Sequence, residues 1–152
     1  MAKTSRITTK ITKKAARLPK VIDVAIEAAQ DKKASGVVVL DLKKAGAFTD
    51  YFVICSAANP RQVQAIADEV EMRLKKAGLR PTHVEGYTQA EWVLIDYVDF
   101  VVHVFSEKAR KFYDLERLWK SARRLEPGDL KTAVRARKTA AKVPAKKRKV
   151  RA

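Results

Sequence analysis

The sequence predicts a single α/β domain with a mixed β-sheet of four to five strands, flanked by helices and by basic, flexible N- and C-terminal arms. One observation is the presence of short, nearly continuous apolar runs at 37–42 and 51–55, which are typical of strands buried on both faces. A second is the helical spacing of apolar residues between 60 and 76. A length of 152 residues is enough for one compact core.

Positive charge is concentrated at the two ends of the chain. Residues 1–20 carry seven Lys/Arg and 131–152 carry ten, with no Asp or Glu in either segment. Between them, residues 21–130 hold 16 basic and 17 acidic residues and are close to neutral. Basic blocks of this kind stay solvated and often bind nucleic acid. We therefore predict a disordered basic arm at 1–18, a folded domain at 19–126 and a basic tail at 127–152.

The first half of the domain is punctuated by clear boundary signals. Pro19 suits the opening turn of a helix that runs to about residue 32, and Ser35-Gly36 ends it. A strand at 37–42, a loop at 43–49 and a strand at 51–55 follow. Asn59-Pro60 then provides an N-cap and a first-turn proline for a long helix, which Gly78 ends.

The second half predicts a hairpin and a last helix. Residues 81–85 form a short strand, placed at a sheet edge because of its proline. Strands at 92–97 and 100–105 are joined by a tight turn, and a helix from Ser106 is expected to end near Arg124. Three helices need not cover both faces of such a sheet, so an uncovered apolar face is a candidate interface.

Motifs for catalysis or metal binding are absent from the sequence. His83 and His103 lie in different strands without further ligands at metal-binding spacing, and His103 is interpreted as a hydrogen-bonded sheet residue. Cys55 lies in an apolar run and is interpreted as a small core residue. Nucleotide-binding glycine motifs do not occur. We predict neither a cofactor nor a metal.

Three aspartates are the remaining candidates for an enzyme site. Asp41, Asp96 and Asp99 flank strand ends, where Asp commonly forms turns. Paired carboxylates on neighbouring strands would instead suit Mg²⁺ chemistry on nucleotides. A nucleotidyltransferase-like enzyme and a general RNA-binding protein therefore stand as alternatives to a specific binding protein.

Alternation divides the strand at 92–97 into two faces. Trp92, Leu94 and Asp96 share one face, and Val93, Ile95 and Tyr97 share the other. Trp is among the best interface anchors, but it also packs well in cores. The sequence leaves both roles open for Trp92.

Several motifs together resemble the RsfS/Iojap family of ribosomal silencing factors. The resemblance spans about residues 20–124. It departs from the family pattern at two turns: 57–60, where small Gly, Ser or Thr residues are more usual, and Val98, where many members have Gly. It is carried by Phe48-Thr49-Asp50-Tyr51-Phe52-Val53-Ile54, Arg61-Gln62-Val63-Gln64-Ala65-Ile66-Ala67, Glu85-Gly86, Glu91-Trp92-Val93-Leu94-Ile95-Asp96-Tyr97, Val101-Val102-His103-Val104-Phe105 and Tyr113-Asp114-Leu115-Glu116-Arg117-Leu118-Trp119.

The resemblance implies a non-enzymatic protein that binds the large ribosomal subunit through ribosomal protein L-fourteen. Occupying that surface blocks subunit joining and represses translation. The family fold is similar to a nucleotidyltransferase core, but the catalytic residues have no counterpart here. Some relatives are dimers, so a homodimer is allowed. The expected contacts to the ribosomal protein are Trp92, Leu94, Asp96, Tyr97, Phe48 and Asp50.

The basic arms suggest a second partner and a location. We expect the tail to follow ribosomal RNA through phosphate contacts. Because residues 1–20 hold five Lys but only two Arg, they favour a bacterial cytoplasmic protein over a mitochondrial or chloroplast one. No apolar run is long enough to span a membrane. The tail residues expected to contact RNA are Lys146, Lys147, Arg148, Lys149 and Arg151.

Overall fold

Residues 19–125, the part of the chain that the computed structural model describes, contain both helices and strands. The predicted arms, residues 1–18 and 127–152, therefore lie outside the described residues. The elements are α1 Lys20–Asp31, β1 Ser35–Asp41, β2 Tyr51–Ala57, α2 Pro60–Lys76, β3 His83–Glu85, β4 Trp92–Asp96, β5 Phe100–Ser106, α3 Glu107–Tyr113, α4 Leu115–Leu118 and β6 Arg123–Leu125.

The described strands form one mixed sheet in the order β3-β4-β5-β2-β1-β6. β2 and β5 are parallel, from Tyr51 opposite Phe100 to Ala57 opposite Ser106. The other neighbouring pairs are antiparallel. The predicted α/β class, the hairpin of β4 and β5 and the edge position of β3 are confirmed.

Helix α2 shows how local signals set a boundary. The side chain of Asn59 accepts a hydrogen bond from the backbone N–H of Gln62 at 2.8 Å, and Gln62 Oε1 accepts the N–H of Ala58 at 2.9 Å. Pro60 occupies the first turn, where its missing N–H costs nothing. At the other end, Gly78 has φ +90°. The predicted start and end of this helix are confirmed.

The predicted helix from 106 to about 124 is wrong in its second half. Asp114, with φ +45°, separates α3 from the short helix α4. The chain then enters β6, where Arg123 pairs with Asp41 and Leu125 with Val39 of β1. Six strands are therefore present among the described residues, rather than four to five. Helical spacing cannot reveal this strand, because its partner lies more than 80 residues earlier in the sequence.

The sheet separates two apolar layers of unequal size. Helices α1 and α2 pack on the first face and bury its side chains, including Cys55, whose pKa burial raises to about 12. The predicted core role of Cys55 is confirmed. The opposite face, here called the second face, is covered by α3, α4 and the turn after α4. Its buried residues are Val38, Leu40, Leu42, Phe52, Ile54, Val101, Phe105 and Ala109.

Candidate docking surface

The second face is incompletely covered where it reaches β4. Trp92, Leu94 and Asp96 alternate on this face and are half-buried, whereas the two residues between them are fully buried on the first face. The predicted division of the strand into two faces is confirmed. Because α3 and α4 lie over the middle of the sheet, the β4 side chains keep contact with solvent.

Trp92 is held in a fixed orientation by three aromatic neighbours. Its ring lies 5.0 Å from the ring of Phe105 and 4.7 Å from that of Tyr113, between centroids. Its indole Nε1–H donates a hydrogen bond to Nδ1 of His103 at 3.0 Å. An aromatic anchor whose orientation is fixed in advance loses little entropy when it binds a partner.

His103 is a neutral member of this cluster. It is only 2% exposed, and burial lowers its pKa to about 3. Since Nδ1 accepts the hydrogen bond from Trp92, the proton of the neutral ring lies on Nε2. That atom is buried and has no hydrogen-bond partner among the described residues. The interpretation of His103 as a hydrogen-bonded sheet residue is confirmed.

Aromatic contacts continue from His103 to the loop between β1 and β2. The ring of Phe52 lies 4.4 Å from His103 and 6.4 Å from Phe48, between centroids, and 6.1 Å from Trp119. Phe48 itself is 77% exposed. We call this continuous set the aromatic layer. It comprises Phe48, Phe52, Trp92, His103, Phe105, Tyr113 and Trp119.

Two hydrogen bonds join the β1–β2 loop to the β4–β5 turn. The hydroxyl of Thr49 donates to the carbonyl of Val98 at 2.9 Å, and the N–H of Asp50 donates to the carbonyl of Asp99 at 3.0 Å. These bonds bring exposed Phe48 and Asp50 to the same edge of the sheet as Asp96. Residues that are almost fifty positions apart in the chain thus form one surface.

Val98 is a strained residue at this edge. Its φ is +74°, in the left-handed region that β-branched residues rarely adopt. The carboxylate of Asp96 accepts its N–H at 2.8 Å and stabilises the turn. Glycine would adopt this backbone conformation without the steric cost that the Cβ of Val98 imposes. Val98 is also 58% exposed, so it adds an apolar side chain to the edge.

Tyr97 does not belong to this surface. Its side chain is 5% exposed, lies in the core of the first face and stacks on Phe100 with ring centroids 4.9 Å apart. Alternation along β4 sends it away from Trp92 and Leu94. We correct the predicted set accordingly: the structure brings together the other five residues and leaves Tyr97 out.

Arg110 fastens α3 and α4 over the second face. Its guanidinium donates to both carboxylate oxygens of Glu116, at 3.2 and 2.9 Å, and to the carbonyl of Gly36 at 2.6 Å. The hydrogen bonds from Arg110 lower the pKa of Glu116. Bidentate pairs of this kind restrict geometry as well as adding energy. Arg110 therefore anchors the segment that covers the middle of the second face.

Exposed apolar side chains on α3 and α4 were missed by the sequence analysis. Phe112 is 78% exposed and Leu118 is 71% exposed. Helical spacing over a single predicted helix would have assigned them to a buried stripe. The break at Asp114 changes the direction of the chain and leaves both residues in solvent.

Asp41 and Asp96 lie too far apart to form a catalytic pair. Asp41 accepts the N–H of Lys43 at 3.1 Å, and Asp96 accepts the N–H of Val98, as turn-forming residues do. β1 and β4 are separated by β2 and β5, so Asp41 and Asp96 are about 14 Å apart across the sheet. Within residues 19–125, no cluster of His, Cys, Asp and Glu is arranged to hold a metal ion. The same range contains no helix long and apolar enough to cross a membrane.

The fold and this surface define a class of protein. An exposed apolar patch that contains aromatic side chains and has a polar rim is a candidate interaction site. The family model described as "Ribosomal silencing factor during starvation" matches residues 15–152. The chain belongs to this family of ribosomal silencing factors.

Individual relatives agree with this assignment. "Ribosomal silencing factor RsfS" of Halalkalibacterium halodurans is 43% identical over 106 residues, covering 70% of this chain and 91% of that protein. A crystal structure of a Chromobacterium violaceum protein superposes with a TM-score of 0.65 at 37% identity, over 66% of this chain and 84% of the other. A mouse protein named "Mitochondrial assembly of ribosomal large subunit protein 1" is 27% identical over 64% of this chain and 44% of its own length.

Proposed function

We propose that the protein binds the large ribosomal subunit through ribosomal protein L-fourteen, blocks subunit joining and so represses translation. The observation that carries the proposal is the incompletely covered second face around Trp92 and Leu94, which continues to exposed Phe48. Family membership supplies the ribosomal context. This docking requires no covalent chemistry. The bound protein only has to occupy the surface of the large subunit that the small subunit would contact.

The composition of the surface suits a basic protein partner. Its centre is aromatic and apolar, which favours a few strong anchoring contacts. Its rim carries the carboxylates of Asp50, which is exposed, and Asp96, which is half-buried. Acidic groups around an apolar centre steer and orient a positively charged ribosomal protein.

The basic tail is assigned a supporting role. We infer that Lys146, Lys147, Arg148, Lys149 and Arg151 contact ribosomal RNA beside the docking site. These residues lie outside the described range, so this proposal rests on their charge and on the ribosomal context. We further infer action in the bacterial cytoplasm, where the ribosomes of its bacterial relatives work. A homodimer is compatible with this proposal if its interface leaves the second face free for docking.

One substitution in the docking surface, compared with a matched control elsewhere, tests the proposal. Leu94→Arg should abolish cosedimentation with the large subunit, because it places a cation in the apolar centre that meets a basic partner. Glu85 lies opposite Leu94 in β3, so the new cation has a counter-charge and the fold is expected to survive. Met72→Arg is the matched control, since Met72 is an exposed apolar residue on α2.

The readouts are sedimentation with purified subunits and formation of joined ribosomes. The unaltered protein and the Met72→Arg variant should bind the large subunit alone and shift ribosomes towards free subunits. The Leu94→Arg variant should do neither, while melting within a few degrees of the parent. Unaltered binding by a folded Leu94→Arg protein would refute docking through the second face.

A further inference from the structure

A cleft opens at the end of the sheet where β1 and β6 meet. It has a volume of about 270 Å³ and lies between the residues that follow β1 and the turn that leads into β6. Asp41 and Arg123, which are paired across the two strands, are among its lining residues. Lys43, Lys44 and Ser121 contribute to its walls.

The charge of the cleft favours an anion. Three of its side chains are cations and one is a carboxylate, which already accepts the N–H of Lys43 at 3.1 Å. The ammonium group of Lys43 lies 5.2 Å from the ring centroid of Tyr51, which restricts its position. Lys44 is exposed and makes no ion pair among the described residues. Together with the hydroxyl of Ser121, these groups match the oxygens of a phosphate.

The residues that line the cleft also indicate which class of molecule would contribute the phosphate. The other lining residues are Ala45 and Ala122, and no lining side chain is aromatic, so a nucleotide base has no ring to stack on. Contacts to phosphate without base recognition are typical of binding to a nucleic-acid backbone. Shortly after β6 the sequence enters residues 131–152, with ten Lys/Arg and no acid. In the sequence, the lining residue Arg123 precedes this basic segment by fewer than ten positions.

We propose that this cleft binds a backbone phosphate of an RNA strand. The site belongs to the folded domain and is separate from the tail contacts and from the protein-docking surface. Lys43 and Lys44 precede Phe48 and Asp50 in the same loop, between β1 and β2. The proposed ribosomal docking enters only as the source of the RNA, since every lining residue of the cleft belongs to the folded domain.

Full-length protein and a short fluorescent oligouridine test the proposal without any ribosomal protein. Lys43→Gln/Lys44→Gln should reduce the slope of log affinity against log salt by about 0.7 for each phosphate that the protein no longer neutralises. The matched control is Lys75→Gln/Lys76→Gln, an adjacent pair of exposed lysines at the end of α2. The control removes the same charge away from the cleft and should leave the slope unchanged. Should the first pair unfold, Lys44→Gln alone replaces it.

Amide chemical shifts locate the binding and identify the ligand. Oligouridine should shift the amides of Ala45, Ser121 and Ala122 saturably in the parent protein and not in the variant without the two loop lysines. Shifts of the same amides by inorganic pyrophosphate would support recognition of the phosphate group itself. The proposal is overturned if both lysine pairs change the salt slope equally. It is also overturned if pyrophosphate or GTP shifts these amides and oligouridine does not.

Discussion

Replacing Trp92 by Phe separates the hydrogen bond of the indole from the packing of its ring. The smaller ring can still stack against Phe105 and Tyr113, whose centroids lie 5.0 and 4.7 Å from that of Trp92. The group that is removed is the Nε1–H that donates to His103 at 3.0 Å. Because His103 is 2% exposed, its Nδ1 would remain buried without a donor.

The expected decrease in unfolding free energy follows from this orphaned acceptor. Leaving a buried polar group without its partner costs about 1–3 kcal/mol. For a domain of this size, each kcal/mol lowers the melting temperature by about 4–8 °C. Trp92→Ala should cost more than Trp92→Phe, because it also removes the stacked ring. Urea unfolding followed by far-ultraviolet circular dichroism measures both values.

A double-mutant cycle with His103→Leu isolates the pair. If the hydrogen bond stabilises the fold, the double variant Trp92→Phe/His103→Leu should be more stable than the sum of the two single effects predicts. Contacting groups of this kind show coupling of about 0.5–3 kcal/mol. Additivity within about 0.3–0.5 kcal/mol would refute a stabilising role for the bond. Large-subunit binding by the folded Trp92→Phe protein then shows whether the ring alone serves the partner, since interface anchors contribute about 2–4 kcal/mol.

Four further predictions follow from individual sites. Burial lowers the pKa of His103 to about 3, so the unfolded chain takes up the proton first. Stability should therefore fall by up to about 1.4 kcal/mol per unit as pH drops from about 6.5 towards 3; in urea titrations at several pH values, His103→Leu should reduce this slope, and an unchanged slope would contradict the assignment. Gly86→Ala should destabilise strongly in thermal melts, because φ is +82° and a Cβ would lie 2.0 Å from the carbonyl oxygen of Trp92; an unchanged melting temperature would contradict this geometry. Val98→Gly should raise the melting temperature by relieving strain of about 1–2 kcal/mol, less the entropy that Gly adds to the unfolded chain. Deleting residues 131–152 should weaken large-subunit binding and flatten its salt dependence by about 0.7–0.9 for each phosphate that the tail neutralises, and an unchanged slope would leave the tail without a role in binding RNA.

Local signals in the sequence were sufficient for most of the elements. The apolar runs at 37–42 and 51–55 and the Asn59 cap depend only on residues within a few positions of each other. The same holds for the alternation that places Trp92 and Leu94 on one face. These features could be predicted because their physical causes act within a single strand or a single helical turn.

The predictions that were wrong concern features that depend on contacts between distant segments of the chain. β6 exists because Leu125 and Arg123 find partners in β1, and no periodicity of their own indicates it. The exposure of Phe112 depends on the turn at Asp114, which spacing over one assumed helix could not anticipate. Tyr97 was included in the predicted site by its motif, although alternation already placed it on the other face. Tertiary packing then buried it beside Phe100.

By itself, the sequence determined the fold class, the family resemblance and the separation of a neutral domain from two basic ends. Only the tertiary structure decided which face stays uncovered, which loop meets which turn, and where Lys44 and Arg123 line a common cleft. The reason is that spacing, capping and net charge are properties of neighbouring residues. Surfaces such as the one joining Phe48 to Trp92 are assembled from distant segments, and the path of the whole chain sets which of them meet.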